Sequence, residues 1–287
     1  MPRLTIQLCT YNRARLLERV LEALFDQTAP DDAYEVVLVN DGSPDDTSAV
    51  IERVRPLARC AFTVIEQPNS GLARGRNAGI ARSSGERIVF IDDDVLPTPV
   101  FAAEHLGSDA RYGDVIVRGA VINTESFDDL PVPVWTPANY SGNYFWTSNV
   151  SLRRSRLDRA GGRFDESFTE YGWEDIELGM RLRALGTRAV FNRYAVAFHY
   201  KPRAERADKA SRERQVRAQA RTAVQLRAKH PHWRVDLAIG NTPPQRLLGD
   251  LLHRSGIGRV VAPLADAYYD ELAAAEAAAT VAPNEPP

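Results

Sequence analysis

Three consecutive aspartates, Asp92-Asp93-Asp94, follow an apolar run at residues 87–91. Adjacent carboxylates repel one another and are costly unless a cation sits among them. A strand alternates its side chains, so Asp92 and Asp94 are expected to point the same way. Hard divalent cations with phosphate ligands take this arrangement, one or two carboxylates plus phosphate oxygens of a substrate. The alternative is a solvated acidic turn ahead of a helix that begins near Pro97. A second acidic pair, Glu174-Asp175, opens a helical stretch at 173–186. Asp175 falls in its first turn, where the helix dipole favours an ionised carboxylate. Gly179, one turn later, leaves space on the same face. A carboxylate so placed can take a proton from a hydroxyl. Equally, both acids can simply favour a helix start.

Other residues can join these carboxylates. Thr10-Tyr11-Asn12-Arg13 ends an apolar run at 3–10, and Asn40-Asp41-Gly42-Ser43 ends another at 34–40. Tyr11 can stack on a base and Asp41 can accept a hydrogen bond from one. Thr10 or Asn12 as a helix cap, and Asp41 as a turn residue, are the alternatives. Gly71, Gly75 and Gly79 are four apart, so they make no dinucleotide fingerprint, and close packing of one helical face accounts for them. Arg76 between them offers a guanidinium that matches phosphate oxygens. His199 ends a short apolar run, as a ligand or as a structural residue.

These residues need a scaffold that gathers loop ends. Strand-like runs at 3–10, 34–40, 61–66 and 87–91 alternate with helical stretches at 13–27, 44–58 and 70–82. Such alternation predicts an α/β fold, a mostly parallel central sheet flanked by helices. Ligands of such sheets bind beyond the carboxyl ends of the strands, where the candidates fall. The second half reads as a long structured loop over 123–147, a strand near 147–152, the 173–186 helix, and two short strands at 188–191 and 196–199. The expected division is a catalytic domain at 1–203, with halves at 1–122 and 123–203, then a C-terminal helical extension at 204–278 and a disordered tail at 279–287. No motif residue follows His199, so the extension is expected to be dispensable for chemistry on the donor side.

The 287 residues are 44% hydrophobic and 26% charged, which suits a globular core. A formal net charge of −2 argues against a nucleic-acid partner. Cys9 and Cys60 read as buried thiols in a reducing compartment. No apolar run is long enough to cross a bilayer, and the first residues are too polar for a signal peptide, so a cytoplasmic location is expected. Nine basic and three acidic residues between 203 and 229 leave three readings of that helix open. It can dock peripherally at the inner face of an anionic membrane, pack on its own protein, or make a homo-oligomer contact.

Taken together, TYNR (10–13), NDGS (40–43), GLARGRNAG (71–79), IDDDVLP (91–97), SNVSLRRS (148–155) and YGWEDIELGMRLRALG (171–186) resemble the family 2 glycosyltransferases of the GT-A fold. The resemblance covers about residues 3–200. It implies an inverting transfer from a nucleotide-diphosphate sugar to a hydroxyl of a glycan, lipid-linked or small-molecule acceptor, with Mn2+ or Mg2+ as cofactor. UDP is the first expectation for the carrier, with dTDP and GDP open. By the family's pattern Tyr11 and Asp41 meet the base, and Thr10, Asn12, Arg13 and Asp93 count as further nucleotide-sugar contacts. Asp92 meets the ribose, Arg76 the diphosphate, and Asp94 and His199 the metal. Glu174 and Asp175 lie near the acceptor, with Asp175 the general base. Trp146, Asn149 and Trp173 are candidate acceptor contacts. Trp135, Tyr140, Tyr144 and Trp146 can stack on sugar faces or form the loop's own small core. Inversion needs a base that removes the acceptor proton, and a metal and an arginine stabilise the departing diphosphate.

Three other readings compete. A nucleotidyltransferase that makes nucleotide sugars carries a glycine-rich loop where TYNR stands here. A non-catalytic nucleotide-sugar-binding paralogue has less reason to keep the aspartate triplet together with Glu174-Asp175. A glycosidase presents a bare carboxylate pair without a nucleotide-type sheet edge.

Overall fold

The computed structural model describes residues 2–137, 144–202, 209–242, 244–245 and 265–281. The chain forms two compact units, one of residues 1–166 with 174–203 and one of 167–173 with 204–287.

In the first unit the elements run β1 (Leu4–Thr10), α1 (Ala14–Phe25), β2 (Tyr34–Asn40), α2 (Thr47–Val54) with a 3-10 turn (Arg55–Leu57), β3 (Ala61–Glu66), α3 (Leu72–Arg82) and β4 (Arg87–Phe90). They continue with β5 (Val95–Pro97), α4 (Phe101–Leu106), α5 (Ser108–Tyr112), β6 (Ile116–Thr124), β7 (Val150–Arg153), α6 (Arg154–Arg159), α7 (Glu174–Ala184) and β8 (Ala189–Tyr200). The strands form one sheet in the order β3-β2-β1-β4-β7-β6-β8-β5. β1 pairs in parallel with β2 and β4, β2 with β3, and β6 with β8. β7 runs antiparallel to β4 and β6, and β5 antiparallel to β8. The expected mostly parallel sheet is therefore present.

β1 and β2 are buried almost throughout because both faces of the sheet are covered. Leu4, Ile6, Leu8 and Val36 to Val39 have no exposure. α1 buries Leu17, Val20, Leu21, Leu24 and Phe25, a 3-and-4 spacing that makes one apolar stripe. α3 sits close on β1, since a Cβ at Gly79 would lie 2.5 Å from Gln7 Nε2 and one at Gly75 3.1 Å from Cys9 Sγ. Gly71 is not part of that face. It precedes α3 at φ +91, a conformation that glycine adopts at little cost.

Several boundaries differ from the sequence-based expectation. β6 is a strand where none was expected, and the division of the catalytic domain at 122/123 falls inside it. β5 occupies the place given to a helix near Pro97; Pro99 disfavours a helical Thr98, and α4 begins only at Phe101. The two short late strands are one strand, β8, whose register shifts between Gly119 and Ala120 of its partner. Asn192 pairs with Gly119 and Val196 with Ala120, so residues 193–195 bulge out of the ladder. Of the loop aromatics, Phe127 and Phe145 are buried, and Trp135 packs on Phe191 at 5.1 Å between ring centroids. Phe127 and Trp135 pack with one core cluster, and Phe145 and Tyr144 with the other, so these side chains serve the cores of the unit. Tyr140 lies outside the described residues.

The second unit contains α8 (Lys209–Lys229), α9 (Trp233–Ala238) and α10 (Ala265–Val281). Arg217 pairs with Glu213 and Glu271, Arg221 with Glu170 and Glu271, and Arg227 with Asp236 and Glu276. Such exposed pairs are individually weak, but they turn three of the basic residues inward on their own unit. Arg203 and Arg206 lie outside the described residues. Among the described residues no helix is long and apolar enough to cross a membrane. α10 runs to Val281, so 279–281 are helical rather than a disordered tail, and 282–287 lie outside the described residues. Residues 167–173, assigned by sequence to the catalytic domain, fold with the extension.

Gly119 tests the unexpected strand. A Cβ there would lie 2.3 Å from the Asn149 amide and 2.4 Å from the Ala195 carbonyl oxygen. Gly119→Ala is expected to lower stability in urea melts by about 1–3 kcal/mol, the usual cost of overpacking. Unchanged melts would show that β6 is not packed in this way.

Candidate active site

β4 ends at Phe90, Ile91 and Asp92 lie beyond it, and Asp93 and Asp94 form a turn, so strand alternation does not govern the triplet. Asp92 accepts hydrogen bonds from Arg76 (3.3 Å) and Ser148 (2.5 Å). Asp93 accepts from Thr10 (2.8 Å) and Arg13 (3.3 Å). Asp94 accepts from Arg13 and faces His199 Nε2 at 3.5 Å. The expected pairing of Asp92 with Asp94 is thus replaced by a pairing of Asp93 with Asp94, bridged by one guanidinium. Burial pushes Asp93 up to about 7 against the pull of Arg13. Burial acts in the same direction on Asp94, but the neighbouring His199 and Arg13 outweigh it and hold that carboxyl at about 2.

Asp94 Oδ1 and His199 Nδ1 are buried without hydrogen-bond partners. An unsatisfied carboxylate oxygen beside an imidazole fits a divalent cation that takes its other ligands from phosphate. Among the described residues no three His, Cys, Asp or Glu side chains form a metal cluster. The protein therefore offers a cation two ligands here, and the remainder would have to come from a substrate or water.

Arg76 does not face an open diphosphate site. Its side chain is buried on α3 and donates to Glu174 (2.6 Å), Thr147 Oγ1 (2.6 Å) and Asp92, with its guanidinium over the Phe164 ring. Burial disfavours its charge, but Glu174 and Asp92 outweigh this and raise its pKa. Arg76 thus joins the triplet to the acidic start of α7. Glu174 is buried and compensated, whereas Asp175 accepts the N–H of Ile176 (2.7 Å). Burial, and then the charge of Glu174, push Asp175 up to about 7 against the pull of Arg76. The helix dipole is expected to keep Asp175 ionised; burial and the charge of Glu174 act against that. The space expected at Gly179 is filled, since a Cβ there would lie 2.9 Å from Phe145 Cβ.

The remaining candidates divide. Tyr11 is 47% exposed just beyond β1. Asn12 has φ +56, and its N–H donates to Ser43 Oγ (3.0 Å). Asp41 is buried, and its carboxylate accepts from Gln67 Nε2 (2.6 Å), Ser70 N (3.0 Å) and Gly71 N (2.9 Å), which secures the loop before α3. Trp146 is half-buried, 6.1 Å from the His199 ring between centroids. Asn149 is not placed to meet an acceptor. Its buried amide donates to Ala120 O (3.1 Å) and Ala195 O (2.9 Å) and lies 3.0 Å from His105 Nε2, tying β6 to β8. Trp173 belongs to the second unit, where its indole N–H donates to Gln219 O (2.7 Å). Sequence reasoning missed Thr147 and Ser148, which hold Arg76 and Asp92, and Gln67, which holds Asp41. It also missed Asp45, whose carboxylate accepts the first N–H of α1, that of Ala14, at 3.0 Å. The signal available for them was polar side chains at strand ends and in the loops of this one sheet edge.

Comparison with known proteins bears on the family and the fold. The family model described as "Glycosyl transferase family 2" matches residues 5–161. Validoxylamine A glucosyltransferase of Streptomyces hygroscopicus subsp. jinggangensis is 31% identical over 222 residues, covering 65% of this chain and 52% of that protein. Chondroitin synthase of Escherichia coli is 25% identical over 240 residues, covering 69% of this chain and 35% of that protein. The chain thus spans about half, or less, of the length of these curated relatives. Among solved structures, S. aureus TarS 1-349 in complex with UDP superposes with a TM-score of 0.57 at 19% identity, over 77% of this chain and 64% of that one. The mannosyltransferase PcManGT from Pyrobaculum calidifontis, in complex with GDP-Man and Mn2+, superposes with a TM-score of 0.60 at 25% identity, over 99% of this chain and 76% of that one. The fold is of the GT-A type, and a family match over more than half of the residues places this chain among the family 2 glycosyltransferases.

Proposed function

We propose that this glycosyltransferase moves a sugar, with inversion, from a nucleotide-diphosphate donor, UDP-linked in the first instance, to the hydroxyl of a glycan, lipid-linked or small-molecule acceptor. The observation that carries this reading is the meeting of Asp92, Arg76 and Glu174 beside Asp175, whose carboxyl burial and the charge of Glu174 push up to about 7 against the pull of Arg76. Similarity to proteins solved with UDP and with GDP-Man and Mn2+ supports the donor class.

In this reading Tyr11 stacks on the base beside the Asp41 loop, and Asp92 meets the ribose. Asp94 and His199 hold Mn2+ or Mg2+, which when bound offsets the charge of the departing diphosphate. Arg13 gives up Asp94 on donor binding and pairs with phosphate oxygens, which its planar fork matches. Trp146, near His199, borders the sugar. A carboxylate oxygen of Asp175 takes the acceptor proton while the acceptor oxygen forms its bond to the anomeric carbon. The bond from that carbon to the diphosphate breaks on the opposite face, and inversion follows.

Four predictions test these assignments. Asp94→Ala is expected to abolish Mn2+-stimulated UDP binding in calorimetry, and equal affinity with and without EDTA in the wild type would point to a metal-independent enzyme. Asp175→Asn is expected to leave UDP affinity nearly unchanged and to lower turnover, read as donor consumption, by about 10²–10⁴. The base works when ionised, so wild-type turnover rises with pH through about 7. The charged groups facing Asp175 are Glu174, Arg76 and Asp92. Glu174→Gln removes one negative charge and is expected to move the acidic limb to lower pH. Full turnover of Asp175→Asn, with Glu174→Gln inactive, would shift the base by one residue.

A further inference from the structure

We propose that His105 and Asn149 are positioning residues for the candidate metal pair, because they lock the bulge in β8 that brings His199 to Asp94. This rests on the reading of Asp94 and His199 as metal ligands.

The bulge decides where His199 stands. Gly119 pairs with Asn192 and Ala120 with Val196, so three residues, 193–195, are held out of the ladder. Beyond them Asn123 of β6 pairs with His199, and on the other side of β8 so does Val95 of β5. The N–H of Tyr200 donates to the carbonyl oxygen of Asp94 (2.9 Å). Drawing the three residues back into the ladder would carry His199 about 10 Å along β6, at about 3.3 Å per residue. Three is an odd number, so the imidazole would also change faces of the sheet. A smaller adjustment of the bulge still moves the imidazole against a carboxylate that lies 3.5 Å away.

One side chain spans the interruption. The Asn149 amide donates to Ala120 O on β6 (3.1 Å) and to Ala195 O in the bulge (2.9 Å). Its oxygen therefore faces His105 Nε2, at 3.0 Å, and Nε2 is the donor. Burial pushes the His105 imidazole down to about 3, so the ring is neutral and carries one N–H. Nδ1 is then an acceptor, taken by the Ser151 hydroxyl (2.9 Å), whose oxygen accepts in turn from Arg87 Nη1 (3.0 Å). His105, Asn149, Ser151 and Arg87 are all buried. The direction of each hydrogen bond in the series is fixed, and with it the orientation of the Asn149 amide.

α4 holds the bulge from its other end as well. Asn192, the last residue before the bulge, donates to Glu104 Oε2 (2.9 Å), and its Oδ1 accepts the N–H of Tyr194 (3.1 Å). Glu104 and His105 are neighbours on α4. The action of these residues on the metal pair runs through the backbone of β8. A network that only tied β6 to β8 would change the melting temperature without changing what Mn2+ does for UDP binding.

The test uses the full chain with His105→Phe, which keeps a ring beside Phe101 and removes both nitrogens. His105→Gln, the conservative variant, keeps a donor for Asn149. Asn192→Ala, which loosens the bulge from the Glu104 side, serves where His105→Phe does not fold. UDP affinity is read by calorimetry with Mn2+ and with EDTA, and exchange of the amides at 194–199 by deuterium labelling. In His105→Phe the stimulation of UDP binding by Mn2+ is expected to fall by about 10–100-fold, the scale for a partner that orients a metal ligand. Affinity in EDTA stays within about twofold of wild type, exchange at 194–199 is faster, and His105→Gln restores most of the stimulation. Unchanged stimulation, an equal loss of affinity with and without Mn2+, or unchanged exchange overturns the proposal. A wild-type protein with equal UDP affinity in Mn2+ and EDTA sinks the metal reading instead, and the exchange result then decides the positioning role alone.

Discussion

Five carboxylates, Asp92, Asp93, Asp94, Glu174 and Asp175, meet two arginines, Arg13 and Arg76, at one edge of the sheet. Ionised carboxylates cannot be taken out of water side by side without compensation. Arg13 bridges Asp93 to Asp94, and Arg76 bridges Asp92 to Glu174. Two positive charges do not balance five negative ones. Two of the acids, Asp93 and Asp175, are pushed up to about 7, by burial first and by neighbouring carboxylates second. One of these lies against the arginine beside the metal candidates, the other opens the helix at the acceptor end.

The sheet order explains why the groups meet. β1 lies between β2 and β4, so the chain leaves β1 to one side and returns on the other. Such a switch point opens a crevice beyond the carboxyl ends of the strands. Thr10, at the end of β1, reaches Asp93 beyond β4 across that crevice. α3, packed on β1 through Gly75 and Gly79, presents Arg76 to both Asp92 and Glu174. The turn before β7 adds Thr147 and Ser148, and β8 adds His199. Apart from Arg76, which lies within α3, the contributors sit at or just beyond the ends of strands or helices, so their positions are inherited from apolar packing.

Much of the fold was legible because the first four strands and three helices are strongly periodic. The later sheet was harder. β6 reads IVRGAVINT, a β-branched run interrupted by arginine and glycine, and Gly119 is required there by the Asn149 side chain rather than by any local signal. β8 looked like two strands because a bulge at 193–195 breaks its apolar pattern. In the site, the identities of the acids were readable from their types and spacing, but their partners were not. Arg76 looked like a phosphate ligand and is a buried bridge, and Asn149 looked like a substrate contact and ties two strands. Arg13 appeared as a sugar-nucleotide contact, and its place on Asp93 and Asp94 depends on contacts between residues about eighty positions apart. No local pattern encodes them.

The central claim is that Asp175, pushed up by burial and by the charge of Glu174, is the group that exchanges a proton near neutral pH. Carbon-13 carboxyl NMR on the full chain reads this without any substrate, with the Asp175→Asn spectrum identifying the resonance. The account predicts that Asp175 titrates with a midpoint near 7. A midpoint near the ordinary aspartate value of 3.8 would contradict it.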